Sequence, residues 1–260
     1  MNRGKVKTDN RPVVLTVAGS DSGGGAGIQA DLGTFGALGA FGTTAVTCVT
    51  AQNPSEVRGV FPVDPGAVTL QIGTVCDYFP VAAAKTGMLY SADIVRAAAR
   101  ALRENGVKNL VVDPVMLATS GARLIEEEAV EVMCEELFSA ASVITPNAAE
   151  AAALSGVEAK SRSGQERAAR RLHEKFHTAC VVKGGHTAAE KDGSIADVLF
   201  DGCETVVFKH ELVESAGTHG TGCTFSAATA ALLARGKTLR EAVKGAGEFV
   251  VNGLKNPLSG

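Results

Sequence analysis

The feature of this sequence that most constrains the fold is an alternation of short apolar segments with longer helix-like segments. The apolar segments are rich in β-branched residues and nearly free of polar alternation, which is typical of strands buried on both faces of a sheet. They read "VVLTVA", "TTAVTCVTA", "VAAAKTG", "NLVVDPV", "SVITPN" and "ACVVKGG". Because strand–helix–strand units of this length form right-handed crossovers, the pattern predicts an α/β fold with a mostly parallel sheet and helices on both faces.

The last third of the chain has a different pattern. Asp201-Gly202 joins "IADVLFDG" to "ETVVFKHELV", which predicts a hairpin and an antiparallel edge to the sheet. Two helical patterns follow it. No repeat or linker divides residues 12–260, so we expect one domain there. Residues 1–11 hold four basic residues with no apolar segment after them, which predicts a disordered tail and not a signal peptide.

Composition excludes several classes of partner and site. A net charge of −3, a pI near 6.0 and the absence of tryptophan argue against a nucleic-acid partner. Residues 32–55 carry no charge, but their glycine, serine and threonine content favours a buried helix and strand over a membrane span. The six cysteines form no C-x-x-C pair, which argues against a zinc knuckle and favours a reducing cytoplasm.

The first glycine-rich loop, "GSDSGGGAG" at 19–27, does not fit a standard nucleotide loop. A dinucleotide site would need an acid at the end of the second strand, but Gln52-Asn53 lies there. A Walker loop would need Gly-Lys followed by Ser or Thr, which is absent at the required spacing. The loop therefore has another use.

The second glycine turn lies in "THGTGCTFSAA", residues 218–228, at the start of a predicted helix of small residues. Amides at a helix N-terminus favour a phosphate or a developing oxyanion, so we place a transferring phosphoryl group here. Cys223 falls in the first helical turn, where a thiol pKa is commonly lowered. It is a candidate base or nucleophile, and packing against the sheet is an equally good interpretation.

Four polar residues follow other predicted strands. Asp113, Asn147 and Glu150 offer oxygen ligands for a hydrated Mg²⁺, although each alone is more commonly a helix cap or a solvated strand-end group. Lys183 could reach a phosphate as a flexible charge, although a strand-end lysine is usually exposed. No ligand role is assigned to either of two histidines beside these turns, His186 and His219.

Seven stretches in order and spacing resemble the hydroxymethylpyrimidine/phosphomethylpyrimidine kinases of thiamine biosynthesis, a branch of the ribokinase-like superfamily. They are "VAGSDSGGGAGIQADL", "VTAQN", "KTGML", "VDPVM", "ITPNAAEA", "VVKGGH" and "THGTGCT". The resemblance runs from about residue 13 to residue 252. It implies a ribokinase-like three-layer sandwich and ATP-dependent phosphorylation of 4-amino-5-hydroxymethyl-2-methylpyrimidine and then of its monophosphate. We also expect a cytoplasmic homodimer.

The resemblance also implies a substrate pocket. Gly19 and Asp31 would border the pyrimidine, and Gln52 would hydrogen-bond its ring. Met88 and Val115 would form the pocket wall. The first glycine loop would then clamp a flat ring, because glycine lets backbone amides approach it closely.

The remaining roles that the resemblance implies concern ATP and Mg²⁺. Asp113 and Glu150 would organise Mg²⁺, while Asn147 and Lys183 would approach the nucleotide phosphates. Cys223 stands where most sugar kinases of the superfamily have an aspartate base. The implied catalytic residues are Gly220, Thr221, Gly222 and Cys223.

Three other functions are kept as alternatives. A pyridoxal kinase of the same branch shares the GTGC turn, but chains of that kind tend to lack the Gln52-Asn53 pair. A non-catalytic pyrimidine-binding protein could keep the fold, although Asp113, Glu150 and Cys223 together argue against it. A dinucleotide-dependent oxidoreductase is disfavoured because the acid that binds the ribose is missing.

Overall fold

The sheet is the centre of the molecule, and a computed structural model describes residues 10–117, 124–185, 193–213 and 220–255. The described strands form one nine-stranded sheet in the order β3-β2-β1-β4-β5-β6-β7-β8-β9. The central pairs are parallel, while β3, β8 and β9 are antiparallel to their neighbours. The strands are β1 (Val13–Asp21), β2 (Phe41–Asn53), β3 (Glu56–Pro62), β4 (Val81–Thr86), β5 (Leu110–Val112), β6 (Val143–Ile144), β7 (Ala179–Val182), β8 (Ser194–Phe200) and β9 (Thr205–Glu211).

Helices cover both faces of the sheet, which confirms the predicted three-layer α/β fold. One layer contains α2 to α6 and the other contains α1, α7 and α8. A π-helical turn at Met133–Leu137 and a 3₁₀ turn at Phe138–Ala140 follow α4. The helices are α1 (Gly27–Ala37), α2 (Pro65–Tyr78), α3 (Ala92–Glu104), α4 (Glu127–Val132), α5 (Ala148–Ser155), α6 (Arg162–Phe176), α7 (Thr221–Ala234) and α8 (Leu239–Lys255).

The apolar strands contribute side chains to two hydrophobic cores, one on each face of the sheet. In β5, Leu110 and Val112 pack under the first helical layer, and Val111 packs under the second. Alternate side chains of a strand point to opposite faces, so a continuous apolar run is what a strand covered on both sides requires. All three β5 residues are buried.

The predicted hairpin is confirmed, whereas β3 was not predicted from the sequence. Strands β8 and β9 pair antiparallel from Ser194↔Glu211 to Phe200↔Thr205, around the turn at Asp201-Gly202. Strand β3 pairs antiparallel with the far half of β2, from Cys48↔Pro62 to Asn53↔Glu56. This half of β2 lies partly in solvent, so it is less buried than its apolar sequence suggests.

Residues 32–55 form most of α1 and β2. In the part of the chain that the structure describes, no helix is both long enough and apolar enough to cross a membrane. All six cysteines have free thiols. The predicted tail at 1–11 lies outside the described residues, apart from Asn10 and Arg11.

Candidate active site

The second glycine turn forms the start of α7, as the sequence predicts. Gly220 is the N-cap residue with φ +80, and no side chain caps the helix among the described residues. A Cβ on Gly222 would lie 3.3 Å from Lys183 Nζ and 3.9 Å from Asp113 Oδ2. The amide end of α7 therefore faces a lysine and a carboxylate, which are the groups that phosphoryl transfer uses.

The two glycine segments lie against each other. A Cβ on Gly220 would collide with the carbonyl oxygen of Gly25 in the first loop. Gly27 has φ +58, and a Cβ there would collide with the carbonyl oxygen of Gly19. Glycine is required at these positions because the backbones touch, so the loop and the turn form one surface.

Asp21 organises the first glycine loop, and the predicted site residues do not include it. Its Oδ1 accepts from the amide of Gly23 at 2.8 Å and its Oδ2 from the amide of Ala26 at 2.8 Å. The amide of Gly24 donates to the Asp21 carbonyl at 3.0 Å. These three amides are therefore engaged within the loop and do not face a substrate ring in this conformation.

Cys223 lies where the two glycine segments meet. Its thiol pKa is raised, whereas a position in the first helical turn predicts a lowered pKa. The Gly27 amide donates a hydrogen bond to its sulfur, and the ammonium of Lys85 acts on it as well. Burial nevertheless raises the pKa of the Cys223 thiol, because desolvation of a thiolate outweighs the opposing effects of Lys85 and the amide. Cys223 as a residue is half-buried, and its thiol stays protonated at neutral pH.

A sealed ion pair lies beneath this region. Lys85 Nζ is 2.9 Å from both carboxylate oxygens of Asp31, and both side chains are fully buried. Thr16 Oγ1 donates to Asp31 Oδ2 at 2.6 Å. Burial lowers the pKa of Lys85, but the charge and hydrogen bond of Asp31, together with the charges of Cys223 and Asp113, more than offset this, so the pKa is raised and the ammonium persists.

Asp31 was expected to border the pyrimidine, and its position excludes direct contact in this conformation. A carboxyl with no exposed surface does not touch a ligand in this conformation, so it acts on the site through Lys85 and through the effect of its charge on Cys223. Lys85 is missing from the predicted site, although "VAAAKTG" contains a signal for it. A lysine inside an otherwise apolar buried strand requires an acidic partner.

Asp113 connects β5, β7 and α7. Its Oδ1 lies 3.1 Å from Lys183 Nζ, and its Oδ2 accepts from Ser226 Oγ at 3.0 Å. The Lys183 side chain remains 12% exposed, unlike that of Lys85. Burial lowers the pKa of Lys183, but the charges of Asp113 and Glu150 raise it overall, so it stays cationic. Ser226, one turn into α7, was not predicted.

Glu150 and Asn147 form a capping box at the start of α5. Asn147 Oδ1 accepts from the amides of Ala149 and Glu150 at 2.9 Å, and Glu150 Oε2 accepts from the Asn147 amide at 2.8 Å. Glu150 Oε1 accepts from the Met116 amide at 3.0 Å. Burial raises the pKa of Glu150 against the charge of Lys183. The cap interpretation is therefore correct for both residues, and it ties β6 to the segment after β5.

The residues expected to line the substrate pocket converge in part. Met88, Cys48 and Leu124 form a small buried apolar cluster, with Val115 packed against it. A Cβ on Gly19 would lie 2.6 Å from Cys48 Sγ and 3.5 Å from Met88 Sδ. Gly19, Met88 and Val115 therefore share one apolar wall at the carboxyl ends of the strands.

Two further residues mark the edge of that wall. Val115 has φ +43, which for a β-branched residue costs on the order of 1–3 kcal/mol and is common at functional sites. Gln52 is half-buried near the end of β2, where Ser22 Oγ bridges its backbone amide and carbonyl at 2.8 Å. Gln52 is therefore attached to the first glycine loop.

A cavity of about 190 Å³ begins at the start of α7 and extends between β8, β9 and α8. Asn147, Lys183, Thr221 and Gly222 line it, which brings together four residues chosen from the sequence. Its other walls include Asp197, His210 and Gly247, which were not predicted.

The acidic side chains at the site determine whether it could hold Mg²⁺. No group of three or more His, Cys, Asp or Glu side chains suited to a metal occurs among the described residues. The pair of Asp113 and Glu150 suits a Mg²⁺ that keeps most of its waters, because such an ion needs only one or two protein carboxylates. His186 and His219 lie outside the described residues.

Comparisons with known proteins agree with this geometry. The phosphomethylpyrimidine kinase family matches residues 21–259. A thiamine biosynthesis bifunctional protein of Geobacter sulfurreducens is 45% identical over 94% of this chain, which spans 49% of that protein. The hydroxymethylpyrimidine/phosphomethylpyrimidine kinase of Bacillus subtilis is 42% identical over 94% of this chain and 89% of its own length.

A solved structure is similar over nearly the whole chain. The ADP complex of Bacillus subtilis pyridoxal kinase superposes with a TM-score of 0.86 at 40% identity, covering 96% of this chain and 94% of that one. The family match covers the first glycine loop from Asp21 onward, the second glycine turn and the strand-end residues described above other than Gly19. The chain is therefore a kinase with a ribokinase-like fold, and it belongs to the phosphomethylpyrimidine kinase family, as its seven motifs predict.

Proposed function

We propose that the chain transfers the terminal phosphate of ATP to the hydroxymethyl group of 4-amino-5-hydroxymethyl-2-methylpyrimidine and then phosphorylates the monophosphate. The diphosphate would serve thiamine diphosphate biosynthesis. The observation that carries the proposal is the meeting of Lys183, Asp113 and the amide end of α7 at the mouth of a cavity of about 190 Å³. This arrangement offers positive charge to a phosphate on one side and an apolar wall to a ring on the other.

The nucleotide would lie in the cavity with its phosphates toward α7. Lys183 is cationic, partly exposed and held by Asp113, so it can approach a phosphate oxygen as a point charge. Amides at the start of α7 would stabilise the charge on the transferring group. Asn147 lines the same cavity and fixes the start of α5 beside it.

Mg²⁺ would be held by Asp113 and Glu150, largely through its own waters. When bound, the ion would neutralise the charge on the phosphate oxygens. Each carboxylate oxygen already accepts one hydrogen bond from the protein, which fixes its direction. The second lone pair of each oxygen remains available to a water of the ion.

Cys223 would face the substrate alcohol and take its proton as the new O–P bond forms. A thiol with a raised pKa is mostly protonated at pH 7, but its small thiolate fraction is a stronger base. Gly19, Met88 and Val115 would hold the ring against the apolar wall, and Gln52 would contact its polar edge. Asp31 would support the site through Lys85, without touching the substrate.

Pyridoxal kinase is the main rival, because a protein of that name is about as similar to this chain as the Bacillus pyrimidine kinase is. The test is an assay with ATP and each alcohol in turn, following mono- and diphosphate formation by phosphorus NMR. We expect a higher kcat/KM with the pyrimidine alcohol, and both phosphorylated products from it. A higher kcat/KM with pyridoxal would overturn the proposed substrate.

A non-catalytic pyrimidine-binding role gives a different outcome in the same assay. The pyrimidine would then raise the melting temperature, but no ADP would be released. Retention of the Lys183–Asp113 pair beside the glycine turn argues against that role.

Three further properties complete the proposal. We propose a single domain over residues 12–260 and a cytoplasmic location, for which the six free thiols are suited. We also propose a homodimer. Val49 and Phe61 pair across β2 and β3 and are 48% and 62% exposed, so they offer apolar surface at the open edge of the sheet. Sedimentation velocity with and without Phe61→Glu would test the dimer.

A further inference from the structure

The wall of the cavity that contains Lys183 also contains a histidine–aspartate pair, to which the proposed reaction assigns no role. Asp197 on β8 and His210 on β9 face each other, with 3.0 Å between Oδ2 and Nε2. Each side chain is only 9% exposed. The two groups are not aligned for a hydrogen bond, and Nε2 has no other partner among the described residues.

Asp197 is attached to the turn that presents Lys183. Its Oδ1 accepts from the amide of Gly184 at 2.8 Å, and this hydrogen bond is buried. A Cβ on Gly184 would collide with the carbonyl oxygen of Ala196, so the turn presses directly on β8. The position of Lys183 is therefore coupled to the position of the Asp197 carboxylate.

His210 is held from the other side by α8. A Cβ on Gly247 would collide with Cε1 of the His210 ring and would lie 3.3 Å from Asp197 Oδ2. Gly247 lies in the middle of α8 with an unstrained helical backbone, so the space needed by the ring explains a glycine there. His210, Asp197 and Gly247 all line the cavity that also contains Lys183.

We propose that Asp197 and His210 are positioning residues for the nucleotide phosphates, acting through the turn at Lys183-Gly184. The inference rests on the proposed nucleotide site and deepens it. Asp197 holds the turn by its Oδ1, and the His210 ring lies against the carboxylate on the Oδ2 side, so it limits where the carboxylate can move. The pair determines how tightly the nucleotide binds, and it leaves the pyrimidine pocket unchanged.

The first test compares two substitutions of Asp197. Asp197→Ala leaves the buried Gly184 amide without its acceptor, so the Kd for ADP, measured by calorimetry, should rise about 10-fold or more. Asp197→Asn keeps an oxygen acceptor and should stay within about 3-fold of wild type. In turnover, the KM for ATP should rise in Asp197→Ala while the KM for the alcohol stays constant. Equal effects of both substitutions on Kd, or an equal rise of both KM values, would overturn the inference.

The second test uses the histidine and does not depend on whether Asp197→Ala folds. His210→Ala should raise the Kd for ADP by about 2- to 10-fold, because the carboxylate is then free to move into the space that the ring occupied. His173→Ala is the matched control, since His173 contacts Phe200 of the same hairpin and does not line the cavity. An unchanged Kd in His210→Ala, or an equal rise in His173→Ala, would overturn the role of His210.

The third test uses the helix that faces the ring. Gly247→Ala should weaken ADP binding, whereas Gly253→Ala on the same helix should not, because a Cβ there meets no atom within 4 Å. In a His210→Ala background, Gly247→Ala should have no further effect, since the ring that it displaces is gone. Additive effects would overturn the coupling.

Binding of ADP to the wild-type chain distinguishes a failure of the proposed nucleotide site from a failure of the role assigned to Asp197 and His210. If the wild-type chain binds no ADP, both the proposed nucleotide site and this inference fail. If it binds ADP normally and the variants bind equally well, the inference alone fails.

Discussion

Two lysine–aspartate pairs, Lys85 with Asp31 and Lys183 with Asp113, lie toward the carboxyl ends of the strands, and they differ in access to solvent. Lys85 is fully enclosed with Asp31, contacts both carboxylate oxygens and has no exposed surface. Lys183 contacts one oxygen of Asp113, and its side chain is 12% exposed at the cavity. The same two residue types thus form a sealed pair and an open pair.

The difference in solvent access indicates that the two pairs have different roles. A sealed pair cannot meet a ligand, so it contributes by fixing α1 against β4 and by placing a positive charge beneath Cys223. An open pair keeps donor capacity on the ammonium for a phosphate. Cys223 interacts electrostatically with both lysines. The pKa of its thiol therefore responds to the charge of either pair.

The largest effect is expected at Cys223 itself. Cys223→Ala removes the base and leaves the apolar wall intact, so kcat should fall by about 10²–10⁴-fold, the range for general-base catalysis. The Kd for the pyrimidine alcohol should change less than about 3-fold. Steady-state kinetics and calorimetry measure the two quantities. An unchanged kcat would reduce Cys223 to a packing residue.

The sealed pair should affect mainly the free energy of unfolding. Asp31→Ala leaves a buried ammonium without its partner and should cost about 3–5 kcal/mol in urea unfolding. The double variant Asp31→Asn with Lys85→Met removes both charges and should recover most of that loss. If Asp31→Ala were as stable as wild type, the pair would not be the enclosed contact described above.

The open pair should affect mainly catalysis. Lys183→Met should lower kcat/KM by about 10²–10³-fold, as for other groups that stabilise transition-state charge. Its unfolding free energy should fall less than that of Asp31→Ala, because Asp113 keeps the hydrogen bond from Ser226 and Lys183 is already partly exposed in the folded state. Near-normal kcat/KM with a large loss of stability would break the distinction between the two pairs.

The smallest expected effect concerns the acidity of the thiol. Burial raises the pKa of Cys223, so its alkylation by iodoacetamide should require a higher pH than that of a cysteine in an unstructured, end-blocked peptide. The charge of Lys85 lowers this pKa, so Lys85→Met should move the midpoint to still higher pH. Site-resolved mass spectrometry gives the rate at each pH. A midpoint below that of the end-blocked peptide would contradict the burial argument.

Much of the fold could be predicted from the sequence because it depends on local pattern. Apolar β-branched runs identified the buried strands, and Asp201-Gly202 identified the hairpin. Strand β3 was missed because its residues are mostly exposed or half-buried, so no apolar pattern marks it. Its pairing with β2 is a tertiary feature.

The site could be predicted only at the level of residue type. Asp113, Lys183 and the turn at Gly222 lie together because each follows a strand or begins a helix at the same edge of the sheet. Partners distant in sequence could not be predicted, as with Asp31 and Lys85. The acidity of Cys223 was also mispredicted, because a helix N-terminus lowers a thiol pKa only where burial does not outweigh it.

The most direct test of the central claim is protection of Cys223 from alkylation. The claim is that a nucleotide phosphate and the pyrimidine alcohol meet beside this thiol at the start of α7. Site-resolved alkylation would be followed with the alcohol and a non-hydrolysable ATP analogue, using exposed Cys203 as the internal control. We expect strong protection of Cys223 by both ligands together and none of Cys203. Equal labelling of Cys223 with and without ligands that bind would contradict the account.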